Sequence, residues 1–452
     1  MEFFNTQTIL KKISIKFSSY QVLATSFAGL ILTGALLLML PISTVSGESM
    51  RFIDALFTAT SAVCVTGLIV VDTGRFFSLF GQLVVISLIQ LGAIGVMTGA
   101  TMIYISVGKK IDLRQRMIMQ DSFSQDTTSG MVRLTRVIIK YTFIIEFIFG
   151  TILAFHWYEE HGLKAIYYGY WHAVSAFANA GFDLFGNFQS LTRYVDDPVV
   201  NFSICSLIVL GGLGFSVMTD IVEVRRWRRL KLHTKLVVVI TTFLITFGAF
   251  MVFLLEYNNP LTMEPLSLRG KILSAFFQSI TARTAGFNSL NLSDLQSPTL
   301  IVLTCLMFIG GSPASVAGGI KTTTFAVIVI SIWAMIRGKD EAVIAYRKLS
   351  NEVIKKSFMI FTLFATCILF ITFLIITFDG GNFLFILFET TSAFGTVGLS
   401  CGLTPTFSDG SKLALIISMF LGRVGLLTFM FAILHNSKQP KISYPAGKII
   451  VG

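Results

Sequence analysis

Charged residues are scarce in this chain. Asp, Glu, Lys and Arg together make up 13% of the 452 residues, whereas hydrophobic residues make up 54% and the mean hydropathy is +0.77. A soluble domain of this composition would have too few polar side chains to cover its surface, while several membrane spans account for it directly. The sequence therefore indicates an integral membrane protein.

Histidine and cysteine are also few, and neither is spaced for chemistry. The histidines are His156, His161, His172, His233 and His435, without metal-ligand spacing. The cysteines are Cys64, Cys205, Cys305, Cys367 and Cys401, an odd number lying mostly inside apolar runs, which argues against a disulfide framework. No HExxH or nucleophile motif stands out. The sequence therefore predicts a protein that is not an enzyme and binds no cofactor directly.

Long apolar runs alternate with shorter, less apolar segments. The eight long runs lie at about 22–42, 81–107, 138–155, 199–218, 236–255, 300–336, 358–378 and 413–434. The four shorter segments lie at 52–63, 165–177, 270–280 and 383–393. At about a dozen residues, each is too short to cross a ~30 Å hydrocarbon core and suits a re-entrant helix. The pattern predicts an all-α membrane protein with eight transmembrane spans, in which four tandem units of span, pore helix and span surround a central pore.

A related motif overlaps the end of each short segment and contains a Gly followed by Leu or Phe. It occurs as TSAVCVTGL, VSAFANAGF, SITARTAGF and FETTSAFGTVGLS, with its glycines at Gly67, Gly181, Gly286 and Gly398. Recurrence at a nearly constant spacing predicts four diverged copies of one unit. The predicted bounds are 1–125 with an N-terminal interfacial segment, 126–230, 231–345 with an intramembrane loop, and 346–452 with a C-terminal tail.

Basic residues are distributed unevenly along the chain. The segments before the first span, between units and after the last span carry 25 of the 35 Lys and Arg residues. By the positive-inside rule both termini are cytoplasmic and the re-entrant segments enter from outside. The net charge of +11 thus reflects topology and does not indicate nucleic-acid binding. The same basic loops are candidate contacts for anionic membrane lipid.

Two further motifs point to a family. TARTAGFNS at 281–289 and GRVGLLTF at 422–429, together with the four glycine motifs, resemble the Trk/Ktr/HKT superfamily of potassium-translocating subunits, and the compact termini resemble its bacterial KtrB branch. The resemblance implies potassium uptake across the bacterial cytoplasmic membrane through a channel-like pore. It also implies a homodimer above a ring of cytoplasmic RCK-type nucleotide-binding subunits (KtrA/KtrC-like), with K⁺ as the transported ion.

Two other functions stay open. A Na⁺-coupled secondary transporter also uses repeats and broken helices near the midplane, although its repeats are commonly inverted. A steep dependence of K⁺ flux on a co-ion would indicate such a symporter. A structural membrane scaffold would be indicated if the reconstituted protein passed no K⁺.

The glycine motifs form the predicted K⁺ selectivity filter. Backbone carbonyls can replace the water shell of K⁺, and the negative ends of four helix dipoles favour a cation at a common axis. Glycine is required where a β-carbon would crowd that geometry. The predicted filter residues are Val65, Thr66, Gly67, Asn179, Ala180, Gly181, Thr284, Ala285, Gly286, Thr396, Val397 and Gly398. In the resembled family these glycines carry the potassium preference, and glycine at position 67 implies potassium.

The apolar run at 300–336 is too long for one straight span and contains a break. The break consists of Gly310, Gly311, Ser312, Pro313, Ala314, Ser315, Val316, Ala317, Gly318 and Gly319. Non-helical backbone at membrane depth is tolerated only where it lines a water-filled cavity or is buried in protein, so this loop is expected beneath the filter. The resemblance implies that it is the gate. A kink that only lets helices pack is the alternative.

Two arginines lie inside apolar surroundings. Arg423 falls near the middle of the last run, where a charge normally faces the protein interior or a water path. The resemblance implies that it acts with the gate loop as a barrier, and the alternative is a buried ion pair with Glu146 or Asp220.

Arg283 lies three residues before Gly286. Because a guanidinium pointing at the axis would repel K⁺, we expect it to point outward and to brace the filter from behind. Glu389 and Asp54 are its candidate partners.

Overall fold

The computed structural model describes residues 19–95, 131–426 and 429–430. The predicted interfacial segment before residue 19, the loop between the first two units and the C-terminal tail lie outside these residues. Within them the chain is mostly helical, as the sequence predicts, and one short β-hairpin pairs Val343–Ile344 with Arg347–Lys348.

Three helices recur four times along the chain, and we call them leading, short and closing helices. The leading helices are Ser19–Leu38, Met131–His156, Leu232–Glu256 and Asn351–Asp379. The short helices are Phe52–Val63, Lys164–Phe177, Leu268–Thr281 and Phe383–Gly395. The closing helices are Leu79–Ile94, Pro198–Leu213, Ser297–Phe308 and Asp409–Val424. The remaining helices are Thr73–Phe76, Tyr158–His161, Phe215–Val224 and Thr322–Ile336, and the 3₁₀ turns are Pro41–Ser43, Thr192–Tyr194, Trp227–Arg229, Leu292–Asp294 and Thr404–Thr406.

The leading helices have the length and composition of membrane spans. Tyr20–Leu38, Thr135–His156, Leu232–Glu256 and Asn351–Asp379 are each long and apolar enough to cross a membrane. A fifth candidate among the described residues is the pair Pro198–Leu213 and Phe215–Val224, if the two count as one bent span. Most of each leading helix is not buried within the protein, although its residues are apolar. This is the surface expected of a helix that faces lipid.

The four short helices lie where the sequence predicts them, with ends that differ by at most two residues. Polar side chains cap the starts of two of them, Leu268–Thr281 and Phe383–Gly395. Ser267 accepts a hydrogen bond from the backbone N–H of Gly270, and Asn382 accepts one from Leu384, so each satisfies a donor that the helix leaves unpaired.

In the first, second and fourth units, a glycine brings the closing helix close to the end of the short helix. A β-carbon added at Gly92, Gly211 or Gly422 would lie 2.0 to 2.1 Å from the carbonyl oxygen of Val63, Phe177 or Phe394, respectively. Such an approach is possible only for glycine, as at close helix contacts in membranes. The closing helices therefore hold the C-terminal ends of the short helices, where the glycine motifs begin.

The closing helices are broken in more units than the sequence predicts. The predicted break in the third unit is confirmed, since Phe308 ends one helix and Thr322 starts the next. The sequence marks no break in the apolar runs at 81–107, 199–218 and 413–434, yet a helix ends at a glycine inside each of them. Those closing helices end before Gly95, Gly214 and Gly425, whose φ angles of 89°, 92° and 90° do not fit a helix. At Gly214 the helix axis turns by 96°.

Candidate ion-conducting site

The four motif glycines lie together in a ring. A β-carbon added at Gly67 would lie 2.4 Å from the carbonyl oxygen of Ala180, and one added at Gly181 would lie 2.7 Å from the carbonyl oxygen of Ala285. In the same way, a β-carbon at Gly286 would lie 2.6 Å from the carbonyl oxygen of Val397, and one at Gly398 would lie 2.1 Å from that of Thr66. Each glycine thus faces the carbonyl that precedes the next glycine, and the fourth returns to the first. Segments separated by more than 100 residues in sequence meet around one axis.

The backbone of each motif alternates in conformation. The four glycines have φ between 69° and 94°. Two residues earlier in each copy, Val65, Asn179, Thr284 and Thr396 also have positive φ, from 50° to 74°. Positive φ is unfavourable for L-residues, and for β-branched Val and Thr it is a true outlier. Strain of this kind, repeated four times, indicates a functional backbone. Alternation between positive and ordinary φ turns successive carbonyls toward one side of the chain.

A hydroxyl side chain holds each motif from behind. Ser61 and Ser392 accept hydrogen bonds from the backbone N–H of Gly67 and Gly398, at 3.1 and 3.0 Å. Ser175 and Thr281 instead donate to the carbonyls of Phe182 and Phe287, just after the other two glycines. The sequence analysis missed these four residues. The signal that would have found them is a Ser or Thr five or six residues before every motif glycine.

The ring opens on one side into a cavity of about 650 Å³. Its lining includes all four motif glycines together with polar residues such as Asn187, Gln189, Ser190, Asn288 and Asn291. Asp183, two residues after Gly181, is the one ionisable acidic or basic side chain apart from Cys401 among the lining residues that the structure describes. The cavity therefore places one carboxyl group close to the ring, and burial raises the pKa of Asp183 to about 7. Asp183 is not among the site residues predicted from the sequence.

The loop between Phe308 and Thr322 is tied to the break in the second closing helix. The N–H of Ser312 donates to the carbonyl of Gly212 at 3.0 Å, and the N–H of Phe215 donates to the carbonyl of Ala314 at 3.0 Å. A third bond joins Val316 to Gly211 at 3.3 Å. At Gly214 a β-carbon would lie 2.5 Å from the carbonyl of Pro313. The loop is thus a fixed structure with partners in another unit.

The other end of this loop lies against the fourth glycine motif. A β-carbon added at Gly318 would lie 1.9 Å from Oγ1 of Thr396 and 3.0 Å from the carbonyl oxygen of Gly395. Glycine is therefore required at 318 for the loop to approach the filter-like backbone this closely. Predicted filter and predicted gate are in direct contact in the folded chain.

Arg423 joins this loop to the first unit. One of its terminal nitrogens donates to the carbonyl of Val316, and the other donates to the carbonyl of Gly92 at 2.6 Å. The alternative of an ion pair is wrong. The carboxylate of Glu146 instead accepts from Gln90, and that of Asp220 accepts from the N–H of Lys231 and the hydroxyl of Thr234. Backbone carbonyls, which no sequence pattern marks, bind this guanidinium.

Arg283 likewise binds backbone carbonyls. Its guanidinium is buried and lies 3.4 Å from the carbonyl oxygens of Thr241 and Gly310, so it connects the third leading helix to the loop. The predicted acidic partners are wrong because both are already satisfied. Glu389 accepts from Ser400, Cys401 and Thr404, and Asp54 pairs with Lys412 at 2.7 Å.

Comparison with known proteins identifies the family. The family described as "TrkH: Cation transport protein" matches residues 8–443. The chain belongs to this TrkH cation transport family. Its sequence is 43% identical to Ktr system potassium uptake protein B of Bacillus subtilis over 443 residues, which cover 97% of this chain and 98% of that protein.

Other members of the TrkH family are similar over nearly the whole chain. Identity to Ktr system potassium uptake protein B of Vibrio alginolyticus is 38%, covering 96% of this chain and 94% of that protein. Identity to the potassium/sodium uptake protein NtpJ of Enterococcus hirae is 36%, covering 98% and 100%. The crystal structure of the potassium transporter TrkH from Vibrio parahaemolyticus superposes with a TM-score of 0.72 at 17% identity, over 93% of this chain and 86% of that one. The fold is therefore that of the TrkH structure.

Proposed function

We propose that this protein takes up potassium across the cytoplasmic membrane through a pore that passes the ring of four glycines. The ring is the observation that carries the proposal, because four strained segments meet there with carbonyls facing the neighbouring copy. Two of the similar proteins are named as potassium uptake proteins of Ktr systems. K⁺ is the cargo, and no bound cofactor is required.

The filter consists of the three residues that end each motif, from Val65–Gly67 to Thr396–Gly398. Their carbonyls replace part of the hydration shell of K⁺, and the C-terminal ends of the short helices favour positive charge at the axis. Eight spans surround this axis. The cavity with Asp183 faces outside, and both termini are cytoplasmic.

The gate is the loop from Gly310 to Gly319, together with Arg423. It lies against Thr396 and is held by backbone bonds to the second unit and by the guanidinium to the first. A cation next to the loop adds an electrostatic barrier to the steric one. Displacing the loop requires breaking these bonds, so opening needs a ligand or partner with different affinities for the two states.

The partner is a second polypeptide on the cytoplasmic side. The described residues contain no separate soluble domain that could sense a nucleotide, and the names of the similar Ktr proteins refer to a system. A ring of RCK-type nucleotide-binding subunits beneath a homodimer of this chain fits both facts. Membrane lipid is the other neighbour of the basic loops.

Coupling of K⁺ uptake to Na⁺ is the second candidate. The similarity to the potassium/sodium uptake protein NtpJ favours it, because that relative covers nearly the same length as this chain.

A K⁺ pore and a Na⁺-coupled transporter predict different K⁺ uptake by liposomes. The purified protein should support K⁺ uptake driven by a K⁺ gradient alone, and the initial rate should not change when Na⁺ replaces choline outside. The variant Gly286→Ser should lose selectivity for K⁺ over Na⁺, because its β-carbon would meet the carbonyl of Val397, while Gly29→Ser has open space around it and serves as control. A strict requirement for Na⁺ would instead support the symporter, and absence of K⁺ flux in every condition would contradict both.

A further inference from the structure

The turn between the second and third units presents a cluster of exposed basic side chains. The arginines are Arg225, Arg226, Arg228 and Arg229, all exposed. Trp227 between them is 52% exposed, and Ile221 and Val222 just before them are 38% and 50% exposed. Within residues 19–95 and 131–426, none of the four arginines forms an ion pair with a carboxylate. We call residues 225–229 the arginine turn.

The arginine turn is a built structure. Asp220 is buried and accepts hydrogen bonds from the N–H of Lys231 at 3.0 Å and from the hydroxyl of Thr234 at 2.6 Å, which binds the start of the next leading helix to the helix before the turn. The ammonium of Lys235 donates to the carbonyl of Arg228 at 3.0 Å. The arginines therefore project from a backbone whose position is fixed at both ends.

We infer that the arginine turn binds the headgroups of anionic phospholipids. The 96° bend at Gly214 directs Phe215–Val224 across the axis of the closing helix, and the next leading helix begins at Leu232. Phe215 lies at the depth of the loop that it contacts, whereas the four exposed arginines are costly in hydrocarbon and therefore place the turn at the membrane surface. A tryptophan among arginines, next to exposed apolar residues, is the composition that an anionic interface attracts.

The same turn is connected to the proposed gate, and this step rests on the proposed function of the loop. The helix that ends in the arginine turn begins at Phe215, whose N–H donates to Ala314 of the gate loop. The preceding residue Gly214 approaches Pro313 of that loop. Lipid bound at one end of this ten-residue helix therefore restrains the loop at the other end. Anionic lipid should hold the gate loop in its bound position.

Binding is measured by quenching of Trp227 with brominated lipids in reconstituted full-length protein, using Trp227→Phe to subtract the other tryptophans. Brominated phosphatidylglycerol should quench more strongly than brominated phosphatidylcholine. The double variant Arg228→Gln, Arg229→Gln should lower the affinity of the turn for phosphatidylglycerol relative to phosphatidylcholine by roughly thirtyfold, as expected for the loss of two charges at an anionic surface. The matched control Arg347→Gln, Lys348→Gln removes two exposed charges from the β-hairpin and should keep the preference. In the unmodified protein, about 1 M salt should weaken it as well.

Gating is measured as K⁺ flux in the same vesicles without partner subunits. Removing phosphatidylglycerol, or introducing the double variant, should raise basal flux several-fold. Equal quenching by the two lipids in the unmodified protein would overturn the lipid site. Loss of lipid preference without any change in flux would overturn the connection to the gate. If the double variant kept its lipid preference but lost its response to nucleotide-binding subunits, the turn would be a protein-docking surface. A protein that passes no K⁺ would contradict the proposed function and leave the quenching result valid.

Discussion

At the scale of single residues, the ring glycines are intolerant of any side chain. Each has a positive φ and a neighbouring carbonyl within 2.1 to 2.7 Å of where a β-carbon would lie. Sequence reasoning found all four because the motif recurs and the glycine stands at the same place in every copy. None of the four positions tolerates a side chain, because in the ring each glycine lies against a carbonyl of the next copy.

Gly67→Ser should weaken discrimination between K⁺ and Na⁺. Its β-carbon would displace the carbonyl of Ala180, which lies in the next copy. We expect the K⁺/Na⁺ permeability ratio to fall by roughly tenfold, equivalent to about 1.4 kcal/mol. Bi-ionic flux measurements in liposomes would show this, and an unchanged ratio would count against the filter assignment.

Asp183→Asn should raise the K⁺ concentration for half-maximal uptake a few-fold at low ionic strength. Burial raises the pKa of Asp183 to about 7, so uptake should be measured at about pH 8, where the carboxylate is ionised and attracts cations in a salt-screened manner. The difference should therefore shrink as an inert salt is added, while the maximal rate changes little. Glu48→Gln, an exposed residue outside the cavity lining, is the control. An effect independent of ionic strength would argue for a structural role instead.

The sequence identified both arginines that lie inside apolar surroundings but not what they bind. A charge inside an apolar run must find partners, and acidic side chains are the partners that a sequence displays. Arg283 and Arg423 bind backbone carbonyls instead, which every residue carries and which only the folded loop brings together. Their partners could not be predicted without the path of the backbone.

At the scale of elements, the loop from Gly310 to Gly319 and the bent second closing helix are bonded into one assembly. Composition revealed the break in the third unit because ten small residues interrupt the apolar run. The breaks at Gly95, Gly214 and Gly425 each depend on a single glycine inside an apolar stretch, and such glycines are common in membrane helices that remain straight. The bends therefore follow from contacts, such as that of Gly214 with the loop.

Deleting Ala314 to Gly318 should raise K⁺ flux several-fold, since these residues include the segment that touches Thr396. Gly214→Ala tests the contact between the loop and the second closing helix with a smaller change. Its β-carbon would meet the carbonyl of Pro313 at 2.5 Å, whereas at Gly212 the nearest atom belongs to the Asn179 side-chain amide, at 3.4 Å. Gly214→Ala should therefore raise basal flux, and Gly212→Ala should not. Flux at or below that of the parent in both the deletion and Gly214→Ala would remove the gate assignment.

At the scale of the whole molecule, the first and last units meet at a seam held by charge. Lys412 of the fourth closing helix pairs with Asp54 of the first short helix at 2.7 Å, and both side chains are mostly buried. Nearby, Arg51 pairs with Asp409 at 2.6 Å on the exposed surface. These pairs join residues from opposite ends of the chain and close the ring of units.

Lys412→Met should destabilise the protein strongly, because it leaves the Asp54 carboxylate buried without its partner. The expected loss is about 3–5 kcal/mol. Lys348→Met, which removes an exposed ion pair with Glu341, should cost only about 0–1 kcal/mol. Thermal unfolding in one detergent would compare the two variants. Similar Tm values for both would mean that the buried pair does not hold the seam.

Charge reversal of Arg337 and Lys339 should uncouple K⁺ flux from nucleotide. These residues follow the helix Thr322–Ile336, which continues directly from the gate loop, so a partner bound there can pull on it. Flux should persist while its dependence on the nucleotide-binding subunits is lost. Full nucleotide response in the reversed protein would place the docking surface elsewhere.

The ring of glycines has a consequence for how this protein can change over generations. In a channel made of four identical chains, one mutation enters the filter four times and alters every position together. Here the four copies lie on one chain, so a mutation alters a quarter of the ring and leaves three copies intact. Yet a side chain added at any of these glycines would meet the carbonyl of the next copy, so the mutated copy also changes the backbone of its neighbour. Ion preference can therefore shift in small inherited steps, and a step in one copy selects for compensation in the copy beside it.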